Sequence, residues 1–310
     1  MPELRVAGYR NEVTRVMNGL PIMPNAVRPH LSASAISEFE ACETAFKYRY
    51  VLNHEGGPVS FSRAFGRAMH KMAENDSNLK IRQNPPLSIA DAKDVFLSAF
   101  EDELREASFS KQDQAEFGLE SRAKTILRQQ GLKCAGLWVR EISRQIDPVS
   151  VEQRFRLPLV GDYDFVGIID LIARPGSLIP WSDRKRVDKP VKDMRVVVDL
   201  KFGRGRRPLN AMESRQLTIY FGAHAYLTSS LADFVVLLQL KRSEQGPTWK
   251  MSVSARTAED FEAVIRYSDF IAEKTAANNF QPTGLGTWKC DVKFCSFFDI
   301  CEERKAYEGQ

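Results

Sequence analysis

Long apolar runs are missing from this sequence of 310 residues. None approaches the roughly 20 apolar residues that a membrane-spanning helix needs, and the first residues carry no apolar signal core. The sequence therefore predicts a cytoplasmic protein, neither exported nor embedded in a membrane. Internal repeats, low-complexity segments and a G-x-x-x-x-G-K-[ST] motif are also missing, which excludes a repeat array and a nucleotide-driven motor of the P-loop type.

A strong excess of charge of either sign is missing as well. The 44 basic and 40 acidic side chains leave a net charge of only +4, which permits nucleic-acid binding without requiring it. Hydrophobic residues make up 43% and charged residues 27%, values that are ordinary for a globular protein. A chain of this length can bury one large core or two ordinary ones.

The five cysteines are an odd number, which argues against a disulfide framework and for a reducing compartment. Cys290, Cys295 and Cys301 lie within twelve residues, and Cys42 lies far from them near the N-terminus. Four thiolates are the ligand number of a tetrahedral Zn²⁺ site or of a [4Fe–4S] cluster, and the chemistry of the ligands fits both. Such a site would join the two ends of the chain. Cys134, on an amphipathic stretch, is predicted to be a core residue.

Hydrophobic periodicity divides the chain into four parts. Residues 1–30 are irregular, residues 31–147 read as helices, residues 148–280 read as strands with two helices, and residues 281–310 form the cysteine-rich tail. One of the first helices is expected to run from a cap at Ser32 or Ser34 to about residue 51. The order of elements favours an α/β fold, with a mixed β-sheet flanked by helices.

Two acidic residues and a lysine stand out on two of the predicted strands. Asp199 and Lys201 are two residues apart, so their side chains project from one face of a strand whose other residues are apolar. Asp170 ends the motif Gly167-Ile-Ile-Asp170 on the preceding strand. Two convergent acids and a lysine suit hydrolysis of a phosphodiester bond assisted by a divalent cation. The plain alternative is an Asp–Lys ion pair at the edge of a sheet.

Three further residues extend this pattern. Gln216 and Tyr220 are four residues apart, so they share a face of the helix that follows. His70 lies on an early helix that also carries Gly66, and by itself it reads as a structural residue.

Basic residues surround the Asp199 segment, and they read either as a phosphate-binding surface or as a solvated loop. They are Arg184, Lys185, Arg186, Lys189, Lys192, Arg195, Lys201, Arg204, Arg206 and Arg207.

The ordered set of motifs resembles the RecB-like branch of the PD-(D/E)xK nuclease superfamily, over roughly residues 31–305. Its members are Gly66 with His70, Gly167 to Asp170, Asp199 to Lys201, and Gln216 with Tyr220. The flanking cysteines resemble the iron–sulfur subset of that branch, which includes the CRISPR-adaptation exonucleases, the AddB nuclease domain and phage recombination exonucleases. The sequence departs from this subset at Glu43, which follows Cys42 where proline is common, and in the gap of four residues after Cys290.

The resemblance implies a restriction-endonuclease-like core and a role for each matching residue. His70, Asp170, Asp199 and the carbonyl of Leu200 would hold Mg²⁺ or Mn²⁺, with Glu152 a further candidate whose plain reading is an edge-strand surface residue. Asp170, Asp199, Lys201, Gln216 and Tyr220 would form the catalytic set. Cys42, Cys290, Cys295 and Cys301 would hold a [4Fe–4S] cluster, which the resemblance favours over Zn²⁺. Arg204, Arg206 and Arg207 would contact DNA phosphates.

The implied activity is that of a metal-dependent DNA exonuclease of recombination, repair or phage DNA processing, from a bacterium or from a phage acting in its host. Its DNA would carry a free single-stranded end, and a helicase or recombination protein is a possible partner. Two alternatives have a different character. One is a non-catalytic module that holds DNA ends, with zinc or iron–sulfur as a structural site. The other is a redox sensor that uses the cluster.

Overall fold

The structure, a computed structural model, describes residues 30–57, 59–158, 163–185, 187–205 and 210–308. Almost all of the irregular segment 1–30 lies outside these ranges, and so do Arg206 and Arg207. Within them, no helix is both long and apolar enough to cross a membrane.

The helices begin where the sequence offers a capping side chain. The hydroxyls of Ser32, Ser60, Ser88, Ser110 and Thr257 each accept a hydrogen bond from a backbone N–H of the first turn, as N-cap residues do. The helices are α1 (Ala33–Ala41), α2 (Glu43–Phe46), α3 (Phe61–Ile81), α4 (Ile89–Glu106), α5 (Lys111–Phe117), α6 (Glu120–Leu137), α7 (Trp181–Arg184), α8 (Arg215–Thr228), α9 (Ala258–Ala276) and α10 (Glu302–Glu308). Turns of π-helix extend α2 over Lys47–Val51 and α6 over Trp138–Ile142.

The strands form one mixed sheet and one short parallel pair. They are β1 (His30–Leu31), β2 (Val59–Ser60), β3 (Ala107–Ser108), β4 (Asp147–Pro158), β5 (Asp164–Arg174), β6 (Val196–Gly203), β7 (Phe234–Lys241) and β8 (Thr248–Ser254). β2 pairs with β3, and the other strands form the sheet. β5 is antiparallel to β4 and β6, β6 is parallel to β7, and β7 is antiparallel to β8. The helix α8 connects β6 to β7, as a parallel pair of strands requires.

Hydrophobic cores lie on both faces of the sheet. The first core packs α3 to α6 against one face, with Val196, Val198 and Leu200 as its contribution from β6. The second core packs α1, α8 and α9 against the other face, where Val197 points. The fold is therefore a mixed sheet between two helical layers, and the predicted α/β class is confirmed. The boundaries at residues 147 and 280 stay a prediction, and the first core contains residues from both sides of the first boundary.

The predicted helix over residues 32–51 is interrupted at one residue. Cys42 has extended backbone angles (φ −167°, ψ 115°) and separates α1 from α2. The hydrophobic spacing on both sides of this break stays helical, so periodicity does not reveal it. The break sets Cys42 apart from the helical residues around it and brings it to the C-terminal tail.

Candidate active site

The site forms where two strands of the sheet part. β5 pairs with β6 over Leu171–Ala173, and its first residues, Asp164 and Phe165, pair with β1 instead. In the gap between these two pairings, a carboxylate oxygen of Asp170 accepts the backbone N–H of Leu200 at 2.7 Å. The N–H and C=O of one strand residue point to the same edge, so the Leu200 carbonyl also faces this gap.

Side chains from both faces of the sheet meet at the gap. Asp199 and Lys201 alternate with residues of the first core, so they lie on the face covered by α8. His70 comes from α3 on the opposite face, where its ring stands edge-on to Phe202 at 4.9 Å. Because the strands have parted, Asp170 is within reach of both groups.

A chain of hydrogen bonds holds the lysine. The ammonium of Lys201 donates to Asp199 Oδ1 and to Gln216 Oε1, both at 2.9 Å. The amide of Gln216 in turn donates to the hydroxyl of Tyr220 at 2.7 Å. The ammonium is therefore fixed beside the buried acids instead of extending into solvent.

An irregularity in β4 and β5 turns two acids toward α3. Ile169 and Ile172 belong to the second core, whereas Leu171 and Ala173 belong to the first, so the alternation of β5 changes phase at Asp170. Directly opposite, Glu152 has a φ of 51°, a left-handed conformation that is strained for a residue with a side chain. Ligand atoms of His70, Glu152 and Asp170 lie within 4.8 Å of one another.

Burial leaves these groups poorly suited to an empty site. It raises the pKa of Asp170 to about 6 and that of Asp199 to about 7, and it lowers the pKa of His70 to about 4. Burial also raises the pKa of Glu152. The second carboxylate oxygen of Asp199 is buried without a hydrogen-bond partner. A cluster of carboxylates with an orphaned oxygen and a neutral imidazole has the donor chemistry of a divalent-cation site.

A cleft gives access to these groups from solvent. Its volume is about 550 Å³, and it is lined by α1, α3, β4, β5 and α8. Arg67 and Lys71 from α3 contribute basic charge to its wall. Gly167 is needed in its floor, because a Cβ there would come within 2.7 Å of the Phe155 ring, which itself stands edge-on to Tyr220 at 6.1 Å.

A model of the PD-(D/E)XK nuclease superfamily matches residues 30–302. The chain belongs to this superfamily. Among solved structures, a candidate exonuclease from Eubacterium rectale has 12% sequence identity and a TM-score of 0.46, with 98% of this chain and 93% of that chain covered. The protein SSO0001 has 17% identity and a TM-score of 0.31, with coverage of 86% and 96%. A search of curated proteins finds no match. The resemblance to the superfamily is thus confirmed, and membership of the iron–sulfur subset stays a prediction.

The four cysteines of this nuclease line a second cavity, of about 180 Å³. Cys42 projects into it from the break between α1 and α2, and Cys290, Cys295 and Cys301 come from the tail. Gly284 packs against Cys42, where an added Cβ would lie 2.9 Å from the cysteine Cβ. Burial raises the pKa values of Cys295 and Cys301. Cys134 is fully buried in the first core, as predicted.

Glu43 joins the Cys42 segment to the tail. Its backbone N–H donates to the hydroxyl of Thr283 at 3.1 Å. Its carboxylate accepts the backbone N–H of Gln281 at 2.9 Å and forms an ion pair with Lys274. Proline at this position would lack the N–H. The departure at Glu43 therefore supplies polar contacts that hold the tail, and the sequence pattern alone contained no signal for them.

The predicted DNA-contacting arginines are described only in part. Arg204 lies just beyond β6, and its side chain is 3.5 Å from Glu116, a carboxylate that also pairs with the buried Arg242. Its charge is thus partly compensated within the protein. Sequence reasoning missed Arg67, which lies three residues before His70 on the same face of α3, a spacing that could have identified it.

Replacing Asp170 by asparagine is expected to stabilise the metal-free protein. A pKa raised from 3.8 to about 6 means that the fold opposes ionisation, so the stability falls as the pH rises through this window. We expect Asp170→Asn to add about 2–3 kcal/mol to the free energy of unfolding near pH 8, and less as the pH falls toward 4. Urea unfolding in EDTA at several pH values measures this effect.

The control for this prediction is Asp102→Asn, which changes a carboxylate on the rim of the cleft whose side chain is 61% exposed. It should leave the unfolding curve unchanged at each pH. A loss of stability in Asp170→Asn near pH 8 would contradict the prediction, since asparagine retains the oxygen that accepts the Leu200 N–H.

Proposed function

We propose that this protein is a Mg²⁺- or Mn²⁺-dependent DNA exonuclease that acts in recombination, repair or phage DNA processing. One observation carries the proposal: Asp170 and Asp199 are buried side by side in the gap between β5 and β6, with the Lys201 ammonium fixed against them. A structural ion pair at a sheet edge would need one acid and no cleft. Here two acids and a lysine lie beside a solvent-accessible cleft.

The residues of the gap fit a divalent cation. His70, Asp170, Asp199 and the Leu200 carbonyl would hold it, since they supply one imidazole and several oxygens on one edge of β6. When bound, the cation would polarise the phosphate and lower the pKa of a water molecule. Lys201 would donate hydrogen bonds to the phosphate oxygens as negative charge develops on them. Gln216 and Tyr220 would position Lys201 through the hydrogen bonds described above.

The cleft wall fits a nucleic-acid backbone. Arg67 and Lys71 on α3 lie beside the acids, and the arginines at 204, 206 and 207 lie on the segment after β6. Contacts of this kind bind phosphates without reading the bases, and their strength falls with rising salt. We propose that the substrate enters with a free single-stranded end, unwound by a helicase or recombination partner where the DNA is duplex.

The cysteine cavity favours a [4Fe–4S] cluster over Zn²⁺. Zinc with bonds of about 2.3 Å to four thiolates would place the sulfurs about 3.8 Å apart. Among the described residues, no three of these thiols lie within 4.8 Å of one another. A four-iron cluster needs a wider cavity and carries negative charge with its thiolates, and Arg49, Arg63, Lys289 and Arg304 surround this cavity. We propose that the cluster joins the tail to the N-terminal helices, and that reduced thiols place the protein in the cytoplasm.

Exonuclease action predicts a difference between linear and circular DNA. Protein purified without oxygen, with Mn²⁺ or Mg²⁺, should degrade end-labelled linear single-stranded DNA and leave closed circular single-stranded DNA intact. Release of labelled mononucleotides or short oligonucleotides over time is the measurement, with EDTA as the control. Cleavage of the circle at a similar rate would show an endonuclease. A complete lack of cleavage, with DNA binding retained, would favour the non-catalytic module.

A further inference from the structure

We infer that Glu152 is a ligand of the divalent cation in the active site, together with His70 and Asp170. The inference rests on the proposed function, because it concerns the same site, and it adds a residue that the superfamily motifs do not supply. It replaces the plain reading of Glu152 as a surface residue on an edge strand.

The first argument is the distance between donor atoms. His70, Glu152 and Asp170 come from α3, β4 and β5, and one ligand atom of each lies within 4.8 Å of the other two. A single cation can contact donors at such separations after small side-chain rotations. The set combines one imidazole nitrogen with two carboxylates, which suits Mn²⁺. Asp199 lies outside this set and is engaged by Lys201 through Oδ1.

The second argument is the backbone of Glu152. Its φ of 51° is a conformation that favours glycine, and holding another residue there costs about 1–3 kcal/mol. Such irregularities in a strand redirect a side chain. The phase change of β5 falls at the directly opposite residue, Asp170. Both strands therefore depart from regular alternation at the one level of the sheet where their acids meet His70.

The third argument is that the protein offers Glu152 no partner of its own. Within the described residues, no hydrogen bond or ion pair of its carboxylate is found within the usual limits. The carboxylate is half-buried in the cleft, beside Glu74, whose own charge is paired with Lys71 at 2.9 Å. A surface glutamate at a strand edge would lie in solvent. This one lies against a histidine and a second acid, an arrangement that repels itself without a cation.

The test measures binding of Mn²⁺, through the electron paramagnetic resonance signal of the free ion, in protein stripped of divalent metal. We expect Glu152→Gln to weaken the affinity for Mn²⁺ by at least the roughly 10–100-fold that loss of an outer-sphere partner costs. Glu152→Asp should bind with intermediate affinity, because it keeps the charge and shortens the reach. The matched control is Glu74→Gln, a neighbouring acid of the same cleft, which should bind as the wild type does.

Equal Mn²⁺ affinity of Glu152→Gln and the wild type would overturn the inference. If the wild type binds Mn²⁺ and degrades DNA in that experiment, the proposed function survives and only the role of Glu152 fails. If the wild type binds no Mn²⁺, both fail. Thermal unfolding in EDTA shows whether each variant is folded, and Glu152→Asp carries the test if Glu152→Gln is not.

Discussion

Lys201→Ala is expected to abolish DNA cleavage while DNA binding persists. The ammonium is held by Asp199 and Gln216 at the edge of the cleft, where it can meet the charge that develops on a phosphate. Removing one such preorganised donor typically lowers kcat by about 10²–10³-fold. Cleavage of end-labelled single-stranded DNA gives the rate, and fluorescence anisotropy in Ca²⁺ gives the affinity. The lysine supplies one positive charge among several around the cleft, so the affinity should stay close to that of the wild type.

A second effect of this substitution must be separated from the first. Without Lys201 the buried Asp199 loses its only cationic partner, so its pKa should rise further above about 7 and protons should compete with the metal. Assays at saturating Mn²⁺ and at about pH 9 remove this competition. Lys250→Ala, on the exposed side of β8, is the control and should cleave normally. Retained cleavage in Lys201→Ala under these conditions would remove the lysine from the proposed mechanism.

Cys42→Ala is expected to remove bound iron and to destabilise the C-terminal tail. Cys42 is the one cavity cysteine that does not come from the tail, so its loss leaves a cluster with three thiolates and no bond to the N-terminal helices. Binding energy of a structural metal group is largely folding energy. A loss of several kcal/mol corresponds to a fall in Tm of about 10 °C for a chain of this size. Iron content, visible absorbance and thermal unfolding measure the change.

The control for this prediction is Cys134→Ala, which removes a thiol from the first core and should leave the iron content unchanged. Mn²⁺ binding in the active-site cleft should survive in Cys42→Ala at low temperature, because the two cavities are lined by different residues. The contacts of Glu43 with Thr283 and Gln281 do not depend on a metal and should keep part of the tail in place. An unchanged iron content would show that Cys42 is not a ligand.

Most elements of the fold could be predicted because their signals are local. Ser32, Ser88 and Thr257 cap helices at the predicted positions, and the apolar stretches around Asp170 and Asp199 form β5 and β6 within one or two residues of the expected bounds. Capping, periodicity and β-branched content act over a few residues, so a single sequence contains them.

Other features of the site could not be predicted. The break at Cys42, the strained backbone of Glu152 and the phase change at Asp170 interrupt patterns that continue on both sides of them. Each is stable because distant parts of the chain hold it: the tail packs on Cys42, and α3 faces Glu152. Propensity has no term for such contacts, since the cost of the irregular backbone is local and its compensation is not.

The sequence by itself determined the chemical types of the site: two acids, a lysine with its glutamine and tyrosine, a histidine, and four cysteines in two groups. It also determined the α/β class and the likeness to a nuclease superfamily. The tertiary structure alone decided that β5 and β6 part at Asp170, so that His70 from one face and Asp199 from the other approach the same gap. It also decided that the cysteines of both chain ends line one cavity. Both outcomes depend on long-range packing around two cores, which fixes distances that no local spacing encodes.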